Sequence, residues 1–285
     1  MESASLGEIR RRRLRKGKMN KFKGLLICTD LDGTLLRNDK SISRENLEAI
    51  EYFKSEGGLF TFITGRMPFF VGKIVDTIRP NAPIGCINGG GVYDFSCRRY
   101  LRLLTLRRDV TELIEAVDSS VEGIGIQVNT PERIYFAREN SAMVHFREAT
   151  GMPNLVKDYR DVDEPFAKIV FGDEREEAIL KTRDVLLSHP RAKEFGFIRS
   201  ERTLFEILPK GISKGTALES LAEVCGVEMK NTVALGDYDN DIGMLRTAGL
   251  GVAVSNATDG AKAAADRITV SNEEHAIAKI ISELA

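Results

Sequence analysis

The chain is short of the residues on which several kinds of chemistry depend. Its four cysteines, Cys28, Cys86, Cys97 and Cys225, form no C-x-x-C pair. That spacing gives neither a zinc knuckle nor a dithiol motif, and Cys28 and Cys86 lie in apolar runs where a thiol behaves as a small hydrophobe. The three histidines, His145, His189 and His275, recur at no metal-ligand spacing. No apolar run approaches the roughly 20 residues that cross a bilayer. The basic N-terminus is not followed by the apolar segment and cleavage site of a secretory signal. A cytoplasmic protein with no membrane partner is expected.

Acid is missing from one stretch. Residues 10–23 carry nine Lys or Arg and no Asp or Glu. With Glu2 and Glu8 the first 24 residues reach +7, which leaves −8 for the remainder of a chain of net charge −1. Basic arms of this kind bind nucleic acid or anionic lipid. Here no aromatic residue before Phe22 interleaves the charges for base stacking, and the body of the chain is mildly acidic. Residues 1–23 are therefore expected to be a disordered leader, with Met19 as an alternative start, and no nucleic-acid partner is expected.

What remains is ordinary globular composition, 42% hydrophobic and 29% charged, over a length suited to one large or two modest domains. Short apolar runs alternate with helical periodicity, the pattern of a parallel sheet covered by helices. Strands are predicted over 25–29, 59–63 and 84–87. Between them fall a helix capped by Ser43 and stopped by Gly57-Gly58, and a second helix from Pro68 to about 78. From about Val92 the pattern changes to strand pairs beside helices: strands at 100–106, 123–128, 133–136, 167–171, 194–199 and 203–208, helices at 109–119, 140–149 and 174–188. Alternation resumes at Ser213 with a helix over 214–225, a strand over 232–235, a helix over 240–247, a strand over 251–254 and a last helix near 273–284. The fold class expected is α/β: a doubly wound, Rossmann-like parallel core over 24–92 and 204–285, interrupted by an inserted α+β cap over 93–203.

The sharpest chemical signal is Asp30-Leu31-Asp32-Gly33-Thr34-Leu35-Leu36, directly after a buried strand. Side chains alternate along a strand, so Asp30 and Asp32 face one side if the extended geometry persists. The carboxyl ends of parallel strands are where open α/β sheets bind ligands. A nucleophile and a proton donor for phosphoryl transfer are both available there. A second acidic cluster, Gly236-Asp237-Tyr238-Asp239-Asn240-Asp241, also follows an apolar strand. Carboxylates brought from there to Asp30 repel unless a divalent cation lies between them, and oxygen-only ligands beside phosphate point to Mg²⁺. An EF-hand loop is excluded, because Ile242 and Ala248 stand where it needs Gly and Glu.

Two further strand-end signals complete the set. Thr64-Gly65-Arg66 offers a hydroxyl and backbone N–H groups to phosphate oxygens. Lys214, in Gly211-Ile212-Ser213-Lys214-Gly215-Thr216, offers an ammonium at a helix start. The last segment does not meet the P-loop pattern.

Together Asp30/Asp32, Thr64, Lys214 and Asp237/Asp241 resemble, in order from about residue 25 to the C-terminus, the four motifs of the haloacid dehalogenase-like superfamily. Asp-Leu-Asp-Gly-Thr-Leu-Leu, Ile-Asn-Gly-Gly-Gly, Ile-Ser-Lys-Gly-Thr-Ala-Leu and Gly-Asp-x-x-Asn-Asp-x-x-Met-Leu look like its Cof-type phosphatase branch, which carries a large type II cap. The resemblance implies Asp30 as nucleophile and Asp32 as acid and base. It implies Thr64, Gly65 and Lys214 as phosphoryl binders with Asn240 assisting. Mg²⁺ would take the Asp30 carboxylate, the Asp32 backbone carbonyl and Asp237, with Asp241 beside or behind the ion. Arg66 and Asn88 are candidate substrate contacts by position. The expected activity is Mg²⁺-dependent hydrolysis of small phosphorylated metabolites, sugar phosphates foremost, by a monomer or small homo-oligomer. The alternatives are a phosphotransferase or phosphomutase of the same superfamily, or a non-catalytic binding protein.

Overall fold

The structure, a computed structural model, describes residues 20–285. Most of the expected leader and the alternative start at Met19 lie outside the described residues. Residues 20–23 do not. Phe22 is fully buried, its ring 4.8 Å from that of Phe53 and edge-on to Tyr52, so the core packing takes in a residue that the sequence reading assigns to the leader. The cause is one large apolar side chain that closes the end of the core.

The chain enters the core through strand β1 (Leu26–Thr29), helix α1 (Arg44–Ser55) and strand β2 (Leu59–Phe62). Ser43 caps α1 by accepting from the Asn46 N–H, as the sequence suggests. After a 3₁₀ turn at Pro68–Phe70 and helix α2 (Gly72–Ile78) come β3 (Ile84–Cys86), β4 (Gly91–Asp94) and β5 (Arg99–Leu103). The middle of the chain supplies α3 (Thr111–Ser120), β6 (Gly125–Asn129), β7 (Ile134–Arg138), α4 (Ser141–Thr150), β8 (Lys168–Gly172), α5 (Glu176–Ser188), β9 (Phe195–Glu201) and β10 (Leu204–Pro209). The last part returns to alternation with α6 (Lys214–Cys225), β11 (Thr232–Gly236), α7 (Ile242–Thr247), β12 (Leu250–Ala253), α8 (Asp259–Ala264), β13 (Arg267–Ile268) and α9 (Ala276–Leu284).

The core sheet is parallel throughout, in the order β13-β12-β11-β1-β2. Its central strands are buried from end to end, because helices cover both faces. On one face Ile27, Val233, Leu235 and Val252 pack with Ile50 and Phe53 of α1 and Ile277, Ile280 and Ile281 of α9. On the other, Leu26, Cys28 and Ala234 pack with Ala217, Leu218 and Leu221 of α6 and Met244 of α7. Alternation along β1 thus sends residues 26 and 28 toward α6, and the same parity carried one step past the strand aims Asp30 at the start of that helix.

A second five-stranded sheet, β7-β6-β8-β10-β9, is antiparallel. Its apolar face joins α3 and α5 in a separate core containing Val110, Leu113, Ile126, Ile169, Phe171, Ile179 and Ile207. The mixed α/β class is as expected, with three differences. The run at 84–87 is not a further strand of the parallel sheet. It belongs to a three-stranded antiparallel sheet, β3-β4-β5, joined to the parallel layer by one bridge between Ile63 and Gly85. Strand β10, expected with the core, pairs with β8 and β9 of the antiparallel sheet. The short α8 and β13 were not anticipated, being too brief for a periodic signal. No helix among the described residues is long and apolar enough to cross a membrane.

Candidate active site

The site lies where β1, β2 and β11 end. The Asp30 N–H bonds the Leu235 carbonyl at 2.8 Å and the Ile63 N–H bonds the Thr29 carbonyl at 2.9 Å. These ladder bonds bring Asp30, Thr64 and the 236–241 loop to one edge. The extended geometry stops at Thr29, and the chain then turns at Gly33, whose φ is +82°. A Cβ at Gly33 would stand 2.4 Å from Asp237 Oδ2, so only glycine permits this approach of the two acidic loops. Thr34 completes the join, its hydroxyl donating to Asp237 Oδ1 at 2.7 Å.

Three carboxylates, Asp30, Asp237 and Asp241, present oxygens that all lie within 4.8 Å of one another. Lys214, the first residue of α6, is almost wholly buried and donates to Asp30 Oδ1 and Asp241 Oδ1, both at 2.6 Å. The second oxygen of Asp241 accepts from the N–H groups of Asp237 and Tyr238 at 2.9 and 3.0 Å. Asp241 is thereby fixed as a brace under the loop.

One ammonium does not neutralise three carboxylates, two of them buried and Asp237 half-buried. Burial raises the Asp30 carboxyl well above its ordinary range; Lys214 opposes the rise, while Asp241 and Asp237 add to it. Asp237 is pushed up to about 6, by burial first and then by Asp241. Burial alone would lower the Lys214 ammonium, yet Asp241 and Asp30 outweigh it and raise the group. A compact, oxygen-only donor set with excess negative charge fits a hard divalent cation.

Asp32 stands apart from this cluster. Burial works to raise its carboxyl, but the Arg66 guanidinium and the Lys40 ammonium hold it below the ordinary range. Arg66 binds it in a two-pronged pair at 3.0 and 2.7 Å, and Lys40 at 2.8 Å. The two acids of the Asp-x-Asp motif therefore carry opposite electrostatics, one raised and one lowered.

Thr64, Gly65, Asn88 and Asn240 form a third group. The Asn88 N–H bonds the Thr64 carbonyl at 3.1 Å, and a Cβ on Gly65 would lie 2.9 Å from Asn88 Oδ1. Ile87 and Asn88 are both left-handed, with φ of 57° and 51°, an uncommon conformation for a β-branched residue. That turn folds Asn88 inward rather than into an open cleft. It is buried, donates to Glu206 at 3.2 Å and accepts from Asn240 Nδ2 at 3.1 Å. Lys168 and Glu206, from β8 and β10, meet this group as a buried ion pair 3.0 Å long, and Lys168 also donates to the Gly65 carbonyl at 3.2 Å.

Lys40, Lys168, Glu206 and Thr34 were not singled out from the sequence. Lys168 and Glu206 each sit as a lone charge in an apolar strand, and a charge there is rarely buried unpaired. That signal was available, although it names no partner.

With this geometry in place, the kind of protein is defined. A sequence profile of the haloacid dehalogenase-like hydrolases matches residues 27–281, and the chain belongs to that family, in its Cof-type branch. It is a phosphatase. Among curated relatives, 5-amino-6-(5-phospho-D-ribitylamino)uracil phosphatase YitU of Bacillus subtilis is 29% identical over 265 residues, 92% of this chain and 97% of that protein. Among solved structures, a haloacid dehalogenase-like hydrolase from Bacteroides thetaiotaomicron superposes with a TM-score of 0.81 at 26% identity, covering 92% of this chain and 99% of that one. A sugar phosphatase of haloacid dehalogenase subclass IIB shares the fold, with a TM-score of 0.80 at 20% identity over 91% and 98% of the two chains.

Proposed function

We propose that the protein is a Mg²⁺-dependent phosphatase that hydrolyses small phosphorylated metabolites, sugar phosphates foremost, through an aspartyl-phosphate on Asp30. The observation that carries this reading is the close trio of Asp30 and Asp241, both buried, and half-buried Asp237, countered among the described residues by Lys214. The phosphorylated ribityl chain in the name of one relative, and the sugar phosphatase among the structural neighbours, favour a polyol or sugar ester.

In this reading Asp30 attacks phosphorus through its carboxylate, and the P–O bond to the leaving alcohol breaks as Asp32 hands that oxygen a proton. Asp32 then takes a proton from water, whose oxygen displaces Asp30 and releases phosphate. Lys214, the Thr64 hydroxyl and the Gly65 N–H hold the phosphoryl oxygens, with Asn240 assisting. The Asp30 carboxylate, the Asp32 backbone carbonyl and Asp237, with Asp241 beside them, would hold Mg²⁺, which would supply the positive charge that three carboxylates and a phosphate together lack. The resting pairing of Asp32 suits this cycle. An incoming phosphate dianion competes for Arg66 and Lys40, weakens their hold on Asp32 and lets that carboxyl take up the proton it must deliver. As a domain division, we propose that the antiparallel five-stranded sheet and its helices form the cap, running from Leu106 through Pro209 in place of 93–203, with the core and the β3-β4-β5 sheet on either side.

The test is phosphate release from a panel of phosphorylated metabolites and a generic aryl phosphate, with and without Mg²⁺. Turnover that needs the metal in the native chain and disappears in Asp30→Asn supports the reading. Turnover retained by Asp30→Asn overturns it.

A further inference from the structure

We infer that Lys168 and Glu206 are positioning residues for the phosphoryl-transfer site: a buried ion pair, borne by the antiparallel sheet, that sets the side-chain orientation of Asn88 and through it Asn240. The inference rests on the phosphatase reading above and concerns how the Asn240 amide and the Thr64-Gly65 loop are held.

The argument is one of donors and acceptors. Lys168 has only donors, and it gives two of them to Glu206 Oε2 and to the Gly65 carbonyl, at 3.0 and 3.2 Å. Glu206, as a carboxylate, has only acceptors, so Asn88 must turn its NH₂ toward it. That leaves the Asn88 oxygen facing Asn240, which must answer with its own NH₂, as it does at 3.1 Å. Each amide has two orientations of nearly equal shape, and only the charge on Glu206 breaks the tie. The ammonium of Lys168 fixes that charge in turn. Lys168, Glu206 and Asn88 are 7, 3 and 1% exposed, so water does not take over any of these bonds.

The geometry also ties the orientation to cap seating. Lys168 and Glu206 come from neighbouring strands of the antiparallel sheet, whereas Gly65, Asn88 and Asn240 belong to three loops flanking the parallel sheet and the bridge at Ile63 and Gly85. A cap lifted from the core removes both the donor on the Gly65 carbonyl and the acceptor for Asn88. The phosphate-binding loops are then complete only while the two sheets are in register with each other.

The decisive experiment uses the full chain and steady-state Mg²⁺-dependent hydrolysis of an aryl phosphate. The double variant Lys168→Met/Glu206→Met removes both charges together, so that no lone buried charge is left behind, and melting is recorded alongside. We expect kcat to fall at least tenfold while KM changes less than about threefold, with a melting transition that remains cooperative. Asn88→Asp sets a carboxylate against Glu206 and should lose a similar factor in kcat. Adding Glu206→Gln to it exchanges donor for acceptor and should bring kcat back to within about threefold of the native chain. If the methionine pair unfolds, the Asn88→Asp/Glu206→Gln rescue alone decides. Native kcat in the folded methionine pair, or no recovery in the exchanged pair, overturns the inference. Loss of activity in the native chain itself, or its survival in Asp30→Asn, would instead strike the phosphatase reading and is scored separately.

Discussion

Two groups of buried charge lie a few residues apart in this molecule, and they are built on opposite principles. At the strand ends, Asp30, Asp237 and Asp241 outnumber their counter-ion, Lys214, and the carboxyls of Asp30 and Asp237 are raised, by burial first and by their like-charged neighbours next. At the junction with the antiparallel sheet, Lys168 and Glu206 match one to one, and the spare capacity of each is taken up by the Gly65 carbonyl and the Asn88 amide. The first group is incomplete by itself and suited to receive charge from outside. The second is already neutral and suited to fix geometry. Removing a member should therefore cost activity without stability in the first group, and stability as well as activity in the second.

The largest effect expected is at Asp30. Asp30→Asn keeps the shape and removes the nucleophile, and phosphate release should fall by about 10⁴-fold or more, the scale on which loss of a catalytic nucleophile acts. Thermal melting of the same variant without metal should rise or hold, because one buried like charge has gone. A fall in both would show that the strand-end cluster is as structural as the junction pair, and would dissolve the distinction.

Next in size is the counterpart at the junction. Lys168→Met leaves the Glu206 carboxylate buried with only the Asn88 amide for support. Stripping one partner from a buried pair costs about 3–5 kcal/mol, readable as a lowered denaturant midpoint. Lys168→Met/Glu206→Met should recover most of that loss. Equal stability of the single and double variants would mean that the pair is solvated in solution and not the neutral lock drawn above.

How far these two groups could be read from the chain differs for a physical reason. The strand-end acids were legible because a buried parallel strand followed at once by Asp-x-Asp or Gly-Asp is a local pattern, and such strand ends converge in an open α/β sheet. Lys214 was legible as an ammonium at a helix start, and the structure shows Ser213 capping α6 there by its pairing with Thr216. Lys168 and Glu206 were not, because their meaning depends on a contact across 38 residues, and on loops from the other sheet. Asp32 was legible as an acid but not as one held by Lys40 and Arg66, since the strand parity that would have aimed it beside Asp30 ends at Thr29. The run at 84–87 shows the same limit. Apolar content predicts a strand, and only tertiary packing says which sheet receives it.

A smaller effect follows from the raised Asp237. Its folded carboxyl titrates at about 6, above the ordinary carboxylate value, so the native state holds this proton more tightly than the unfolded chain. The sign is then fixed. Without metal, this group costs nothing at low pH, and stability declines as pH rises through about 4 to 6, by roughly 3 kcal/mol. Divalent cation binds the ionised form and should reverse the loss. The rise in melting temperature on adding Mg²⁺ should be larger at pH 8 than at pH 5, and should be cut sharply in Asp237→Asn. A Mg²⁺-induced rise of equal size at both pH values would place the cation elsewhere than among these carboxylates.

The smallest effect tests the cations on Asp32. Lys40 and Arg66 both hold that carboxyl down, but the Lys40 side chain is 64% exposed, against 33% for Arg66. Water and salt screen the more exposed charge, so its share of the interaction is modest. Lys40→Met should let the Asp32 carboxyl rise slightly. Because Asp32 serves as the acid in the first half of the cycle, the limb of the kcat/KM–pH profile that reports its protonation in the free enzyme should move to higher pH by a few tenths of a unit. Arg66→Met, which removes the two-pronged partner, should move it further. The Lys40→Met shift should shrink toward zero at 0.5 M salt, where the screening length is about 4 Å, because salt already removes most of what Lys40 contributes, while the Arg66→Met shift should persist. A profile unmoved by either change would mean that Asp32 is not the titrating acid, and the pairing seen here would then serve only to hold the 66–71 loop against the strand end.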